Sequence, residues 1–389
     1  MQSKFDKIID RHNSGCFKYD ALNMLFGKSD LIPLWVADMD FAVSDAILNA
    51  FAERIKHPVF GYNLRLNDFN EAIISWEQRR FGWNIQKDWI IATPGIVPAI
   101  SLTVLSLTEP GDGVLIQTPV YHPFYEAVTD HNRKLLTSPL TNENGVYSID
   151  WMDFENKLKQ AKLFILCSPH NPVGRVWTKA ELSQMGNLCA KYKVPVFADE
   201  IHSDIVYPGY KHIPFASIDN FTDFCLTGLS PSKSFNIAGL ATAVVVISNS
   251  EIRNKISSLN TKLHLYLGNS FGIIALIAAY NDSEGWLDEL LCYLDGNRKM
   301  LTEFVNSELP GVVVSPIEGT FLAWMDFRNW GYKEDELQSA MINKAGLALE
   351  VGSDFGKEGE GFLRFNFGLP RIKMEYALNR IKSIAGNKR

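Results

Sequence analysis

Residues 228–241 read GLSPSKSFNIAGLA, a polar insert between the apolar runs FCLTG (224–228) and ATAVVVIS (241–248). One lysine, Lys233, stands among small residues and hydroxyls where the flanking chain reads as buried strand. Lysine is seldom buried without a partner, so Lys233 either reaches solvent from a loop or carries out chemistry. Further apolar runs lie upstream: WIIAT (89–93), GVLIQT (113–118), KLFILCS (162–168) and VPVFAD (194–199). Helix-length patterns separate several of them, KAELSQMGNLCAKY (179–192) being the clearest. Continuously apolar strands joined by helices predict an α/β layer, a mostly parallel sheet covered on both faces.

In such a sheet, ligands bind beyond the carboxyl ends of the strands. The unusual polar residues of this chain fall at those ends. WIIAT is followed by Pro94-Gly95-Ile96-Val97-Pro98, GVLIQT by PVYHPF, KLFILCS by PHNPVGR, VPVFA by Asp199-Glu200-Ile201-His202, and FCLTG by the Lys233 segment. Convergence of the five ends would gather Gly95, Tyr121, Asn171, Asp199, His202 and Lys233 in one crevice. A glycine turn opening a helix offers free N–H groups to a phosphate, and the Ser230 and Ser232 hydroxyls can add to it. Tyr121 can stack on a flat heteroaromatic ring, and Asp199 can pair with a protonated ring nitrogen. A neutral Lys233 amine can condense with an aldehyde. Phosphate, flat ring, basic nitrogen and aldehyde together describe pyridoxal 5′-phosphate.

The rest of the sequence sets bounds. The 389 residues are 46% hydrophobic and 21% charged, with a formal net charge of −6 and no long like-charge block. No basic stripe suggests nucleic acid. FGIIALIAAY (271–280) is shorter than the ~20 residues that cross a bilayer and reads as a buried helix. MQSKFDKIIDRH lacks the apolar core of a signal peptide. Five cysteines, odd in number and without a C-x-x-C pair, speak against disulfides and a metal site and for a reducing cytoplasm. After residue 285 the texture changes: WLDELLCYLDGNRKMLTEFV has amphipathic helical spacing, and GVVVSP, GTFLAWMDF and FLRFNF read as strands. The expected organisation is an N-terminal segment (1–48) packing with the smaller domain, a large cofactor-binding domain (49–285) and a smaller α+β domain (286–389).

SPHNPVGR, ADEIH and SPSKSFNIAG, in that order, resemble the fold-type I pyridoxal-phosphate enzymes of the aspartate aminotransferase superfamily. Within it, PLWVADMDF (33–41), FGYN (60–63), TPGIVPAI (93–100), PVYHPF (119–124), DEIHSDIVYPGYKHIPFAS (199–217) and FNFGLP (365–370) look like the bacterial cystathionine β-lyase/C–S lyase branch. The resemblance runs over nearly the whole chain. It implies that Lys233 forms the Schiff base with the cofactor and later takes the Cα proton, while Asp199 keeps the ring nitrogen protonated. It further implies that Asn171 donates to the ring 3′-oxygen, that Tyr121 contacts the ring, and that His202 supports the site. Ile96 and Val97 would bind phosphate through their N–H groups, with Ser230 and Ser232. Ala241 stands where the superfamily often has an arginine, so phosphate binding would lean on dipoles and hydroxyls.

Tyr62 resembles the tyrosine that reaches the neighbouring subunit's phosphate, which implies a homodimer with its sites at the interface. Arg364 matches the arginine that grips the substrate α-carboxylate, with Asn171 also at the substrate and Tyr121 among the catalytic residues. Trp35 and Asp38 lie in a segment that lines the entrance, where Trp35 either contacts substrate or serves the structure. The implied reaction is β-elimination from L-cystathionine, and beyond it from L-cysteine or other cysteine S-conjugates, giving a thiol, pyruvate and ammonia. An aminotransferase is the alternative, and a protein of this fold with a regulatory binding role is a third.

Overall fold

The structure, a computed structural model, describes residues 3–218 and 221–385. Seven strands form its main sheet: β1 (Ile90–Thr93), β2 (Gly113–Thr118), β3 (Lys134–Pro139), β4 (Ala161–Cys167), β5 (Val196–Asp199), β6 (Cys225–Leu229) and β7 (Ala243–Val246). Their order is β1-β7-β6-β5-β4-β2-β3. β7 runs antiparallel to both its neighbours and every other pair is parallel, as the uniformly apolar runs predict.

Side-chain alternation divides each strand between two cores. Leu163, Ile165 and Cys167 of β4 face one core with Val114, Ile116, Phe197 and Val245. Phe164 and Leu166 face the other, with Leu115, Val196, Ala198 and Val244. Both faces are therefore dry, and each large side chain removed from water contributes roughly 1.5–3 kcal/mol. The first core is closed by helix α1 (Ile96–Leu107), through Ile96, Ala99, Ile100 and Val104. Helix α2 (Lys179–Tyr192) has the bounds the sequence predicts, because Thr178 and Glu181 cap each other's backbone N–H. Helix α3 (Ser270–Asp282) contains the apolar FGIIALIAAY run and lies within the second core.

Strand β3 is absent from the sequence reading. It sits at the sheet edge with only Leu136 and Ser138 buried, so its KLLTSP pattern looks like loop. Beyond helix α4 (Glu284–Glu308) a second, antiparallel sheet forms from β8 (Val313–Val314), β9 (Leu322–Asp326), β10 (Glu350–Val351) and β11 (Phe362–Asn366), in the order β8-β9-β11-β10. Within it Arg364 stands opposite Trp324 on one side and Glu350 on the other.

The N-terminal segment is tied to that region. Ile32 and Pro33 pair in parallel with Leu347 and Ala348, and the Asn366 amide donates to Val36 O (2.6 Å) and Asp38 O (2.7 Å). Asn236, just past Lys233, clamps the same segment from the main sheet by donating to Met39 O and Phe41 O. Arg11 reaches Asp38 and Asp40 at 2.7–2.9 Å, and buried Lys18 meets Asp40 at 3.0 Å.

Candidate active site

Asp199 ends β5, with Cys167 of β4 and Gly228 of β6 beside it in register. Its buried carboxylate accepts a hydrogen bond from Ile201 N at 3.1 Å. Loss of water pushes its pKa up to about 7, against the pull of that N–H and of the Lys233 charge. Lys233 lies four residues beyond β6 and donates from Nζ to Ala37 O at 2.7 Å. Desolvation, then the Arg364 charge, draws its amine down to about 8, opposed by Asp38, Asp199 and Glu350. The amine and the carboxylate thus feel each other's charge.

His202 is buried with Nδ1 unpartnered, and desolvation reinforced by Lys233 and Arg364 keeps it well below the usual histidine range. It is neutral there, which suits support better than proton uptake. Asn171 Oδ1 accepts from Arg364 Nη1 at 3.1 Å, leaving the Nδ2 hydrogens uncommitted among the described residues. The Tyr121 hydroxyl is raised chiefly by desolvation, and it feels Arg364, Glu350 and Asp199. Its ring contacts His122 edge-on at 5.0 Å between centroids.

The N-terminus of α1 forms the cradle. Gly95 is extended there, and no side chain caps the helix that Ile96 and Val97 open. Gly228 packs beneath: a β-carbon at that position would come within 2.9 Å of Phe197 and 3.1 Å of Ile96. The Ser230 hydroxyl donates to Thr242 O at 2.8 Å and accepts from Ser232 N at 3.1 Å, so it shapes the turn. The Ser232 hydroxyl has no such engagement.

The Trp35 indole donates to Lys18 O at 3.1 Å and packs against Phe17 and Phe26, which gives its ring a structural role. What Trp35 gives the site is its backbone carbonyl, which accepts from Arg364 Nη2 at 2.7 Å. Tyr62 is 96% exposed, among exposed Val59, Phe60, Leu64 and Leu66, and is not gathered with the other groups.

These donors fit pyridoxal 5′-phosphate. An uncapped helix end suits its phosphate, a buried carboxylate suits its ring nitrogen, and the lysine amine suits its aldehyde. The polar atoms His202 Nδ1 and Arg364 Nε are buried without partners, the mark of a site that awaits a polar ligand.

The model for aminotransferase class I and II matches residues 29–381. The chain belongs to that family. The protein named cystathionine β-lyase PatB from Bacillus subtilis is 41% identical over 382 residues, 97% of this chain and 99% of the relative. Among solved structures, cystalysin from Treponema denticola, which contains pyridoxal 5′-phosphate, superposes with a TM-score of 0.95 at 34% identity, covering 98% of each chain. A pyridoxal-phosphate-bound C–S lyase from Staphylococcus hominis gives 0.93 at 34% identity, covering 100% of this chain and 99% of the other. The mixed seven-stranded sheet is thus the fold-type I sheet of the aminotransferase class I and II family.

In this family member, sequence reasoning missed Glu350 and His122. Glu350 is bonded to Arg364 Nη2, and its other oxygen lies 3.6 Å from His122 Nδ1. His122 was visible beside Tyr121 in PVYHPF. Glu350 had no local signal, since only the pairing of β10 with β11 brings it opposite Arg364.

Proposed function

We propose that this chain is a pyridoxal 5′-phosphate-dependent carbon–sulfur lyase that cleaves L-cystathionine, with L-cysteine and other cysteine S-conjugates as further substrates. One observation carries the reading: the Lys233 amine, buried against Ala37 O, feels the charges of the Asp199 carboxylate and the Arg364 guanidinium, in a chain that matches a cystathionine β-lyase over nearly its full length. When bound, pyridoxal 5′-phosphate supplies an aldehyde that captures amines and a ring that accepts the electron pair left at Cα.

The chain's residues do the rest. Asp199 supplies the negative charge that keeps the ring nitrogen protonated. The α1 N-terminus and Ser232 would bind the phosphate, and the Asn171 amide would donate to the ring oxygen. Arg364 holds the substrate α-carboxylate and so turns Cα–H toward Lys233, an orientation effect worth up to about 7–11 kcal/mol when alignment is good. Lys233 Nζ takes that proton. With the cofactor held there, the Cβ–S bond would break with its electron pair leaving on sulfur, the protonated Lys233 could return its proton to the departing thiolate, and water would release pyruvate and ammonia.

Purified enzyme given L-cystathionine without any keto acid should form pyruvate over many turnovers, read by coupling to lactate dehydrogenase. A single stoichiometric conversion that then stops would instead mark a transaminase. Because the base must be neutral and its pKa is drawn down to about 8, kcat should rise with pH through that region and level above it. An unperturbed lysine would show no plateau below about pH 10.

The same reading includes a cytoplasmic homodimer, with Tyr62 of each copy reaching the partner's phosphate. It also includes the division at residues 1–48, 49–285 and 286–389, whose outer ends (1–2 and 386–389) lie outside the described residues. Exposed Val59, Phe60, Tyr62, Leu64 and Leu66, with Leu263, Tyr266 and Leu267 of the main domain, support the dimer. Light scattering should give twice the 43.8 kDa chain mass; a monomer with full activity would refute it. No helix of the described residues is long and apolar enough to cross a membrane.

A further inference from the structure

Arginine carries five N–H donors, and a carboxylate is gripped at two points only along the Nη1/Nη2 or the Nε/Nη2 edge. Both edges need a hydrogen from Nη2. In Arg364, one Nη2 hydrogen goes to Trp35 O at 2.7 Å and the other to Glu350 Oε2. Nη1 gives one hydrogen to Asn171 Oδ1 at 3.1 Å, and buried Nε has no partner. The two free hydrogens, on Nη1 and Nε, therefore share no edge. A substrate carboxylate can be held at two points only after Nη2 lets go of a partner.

Of the two partners, Trp35 O is backbone. Its neighbours are pinned, Leu34 O by Asn366 N at 3.0 Å and Val36 O by the Asn366 side chain at 2.6 Å. Glu350 is a side chain with a second place to go, since its Oε1 is already 3.6 Å from His122 Nδ1, a buried atom without a hydrogen-bond partner. It stands directly across from Arg364 on the adjacent strand, so both side chains leave the sheet on the same side.

We propose that Glu350 is the resident anion of the substrate-carboxylate site: it occupies Arg364 until an amino acid arrives, is exchanged for the α-carboxylate, and passes to His122. This inference rests on the reading that Arg364 receives the α-carboxylate. Glu350 is then a positioning residue that acts through Arg364. The exchange keeps the charge beside Arg364 constant, so the guanidinium is never left buried and unpaired. It also selects, because an amine without a carboxylate cannot displace Glu350.

The charges facing Glu350 come from several elements: Arg364 on β11, His122 after β2, and Asp354 beyond β10. Lys233 and Tyr121 feel it as well. Desolvation raises its pKa above the ordinary carboxylate value, against Arg364 and His122. Lowering the pH therefore neutralises Glu350 and frees Arg364, so carboxylate affinity should strengthen as pH falls.

The test uses propionate, a carboxylate without an amine, titrated calorimetrically into the holoenzyme. Glu350→Gln should bind propionate about tenfold more tightly at pH 8, the scale of one competing charge-assisted bond removed. Its strengthening of propionate binding as pH falls should be smaller than the parent's, and KM for L-cystathionine should fall by more than kcat changes. His122→Phe, which removes the receiving site, should weaken propionate. Unchanged or weaker propionate binding in Glu350→Gln, with Arg364→Lys still impaired, would reduce the pair to a cross-strand structural contact and overturn the inference. Should Glu350→Gln fail to fold, unchanged binding in His122→Phe would overturn it. If Arg364→Lys binds propionate as well as the parent does, the carboxylate-site reading itself fails.

Discussion

Lys233→Ala is expected to lower the rate of pyruvate release from L-cystathionine by about 10³–10⁴-fold, near the top of the range for a positioned acid–base group. The loss has two sources. No other amine lies where Lys233 meets Ala37 O, facing Asp199 and Arg364, so the Cα proton has no acceptor. The cofactor would also lose its covalent attachment and be held by the α1 N-terminus, Ser232, Asn171 and Asp199. The variant should therefore lack the visible band of lysine-bound cofactor while still taking up pyridoxal phosphate from solution. Added methylamine should restore part of the rate, since a diffusible base can fill the space the side chain leaves. Retention of a tenth of the parent activity would be incompatible with this assignment.

Asp199→Asn should cost roughly 10²–10³ in kcat, the scale of removing one preorganised electrostatic partner. The amide keeps the size of the carboxylate and loses its charge, so the ring nitrogen is no longer held protonated. The cofactor-free protein offers a second readout with the opposite sign. Burial raises Asp199 from 3.8 to about 7, so between those values the native chain binds the proton more readily than the unfolded one. Its stability should fall as pH rises through that window and stay low above it. Asp199→Asn removes this slope, so at pH 8 the cofactor-free variant should melt higher than the parent while being far less active. Thermal unfolding at pH 5 and pH 8, beside initial rates, checks both halves. A lower melting temperature at pH 8 would contradict the assigned role.

The residues legible in the sequence share one property: each interrupts a local pattern. Lys233 breaks an apolar stretch, Gly95 breaks a strand before a helix, and Asp199 and Asn171 end apolar runs where a buried strand has no use for them. Edge strand β3 escaped notice because its alternation is half exposed. The direction of the Ser230 hydroxyl was not legible, because it depends on the turn around it, and here it donates to Thr242 O. The sequence left Trp35 open between structure and substrate contact: its ring lies in a small cluster around Phe17 and Phe26, while its carbonyl, which no side-chain reading considers, meets Arg364.

The sequence by itself determined the sheet's buried strands, though not its edge strand β3, because dry strands must be apolar on both faces. It also determined the crevice chemistry, because a charged or amide side chain at a buried strand end is costly unless it serves a ligand. Only the tertiary structure decided which groups hold Arg364. Glu350, Trp35 and Asn171 come from elements 14, 329 and 193 residues away in the chain. Hydrogen-bond direction and charge pairing act over a few ångströms of space, and no period or motif along the chain encodes that distance.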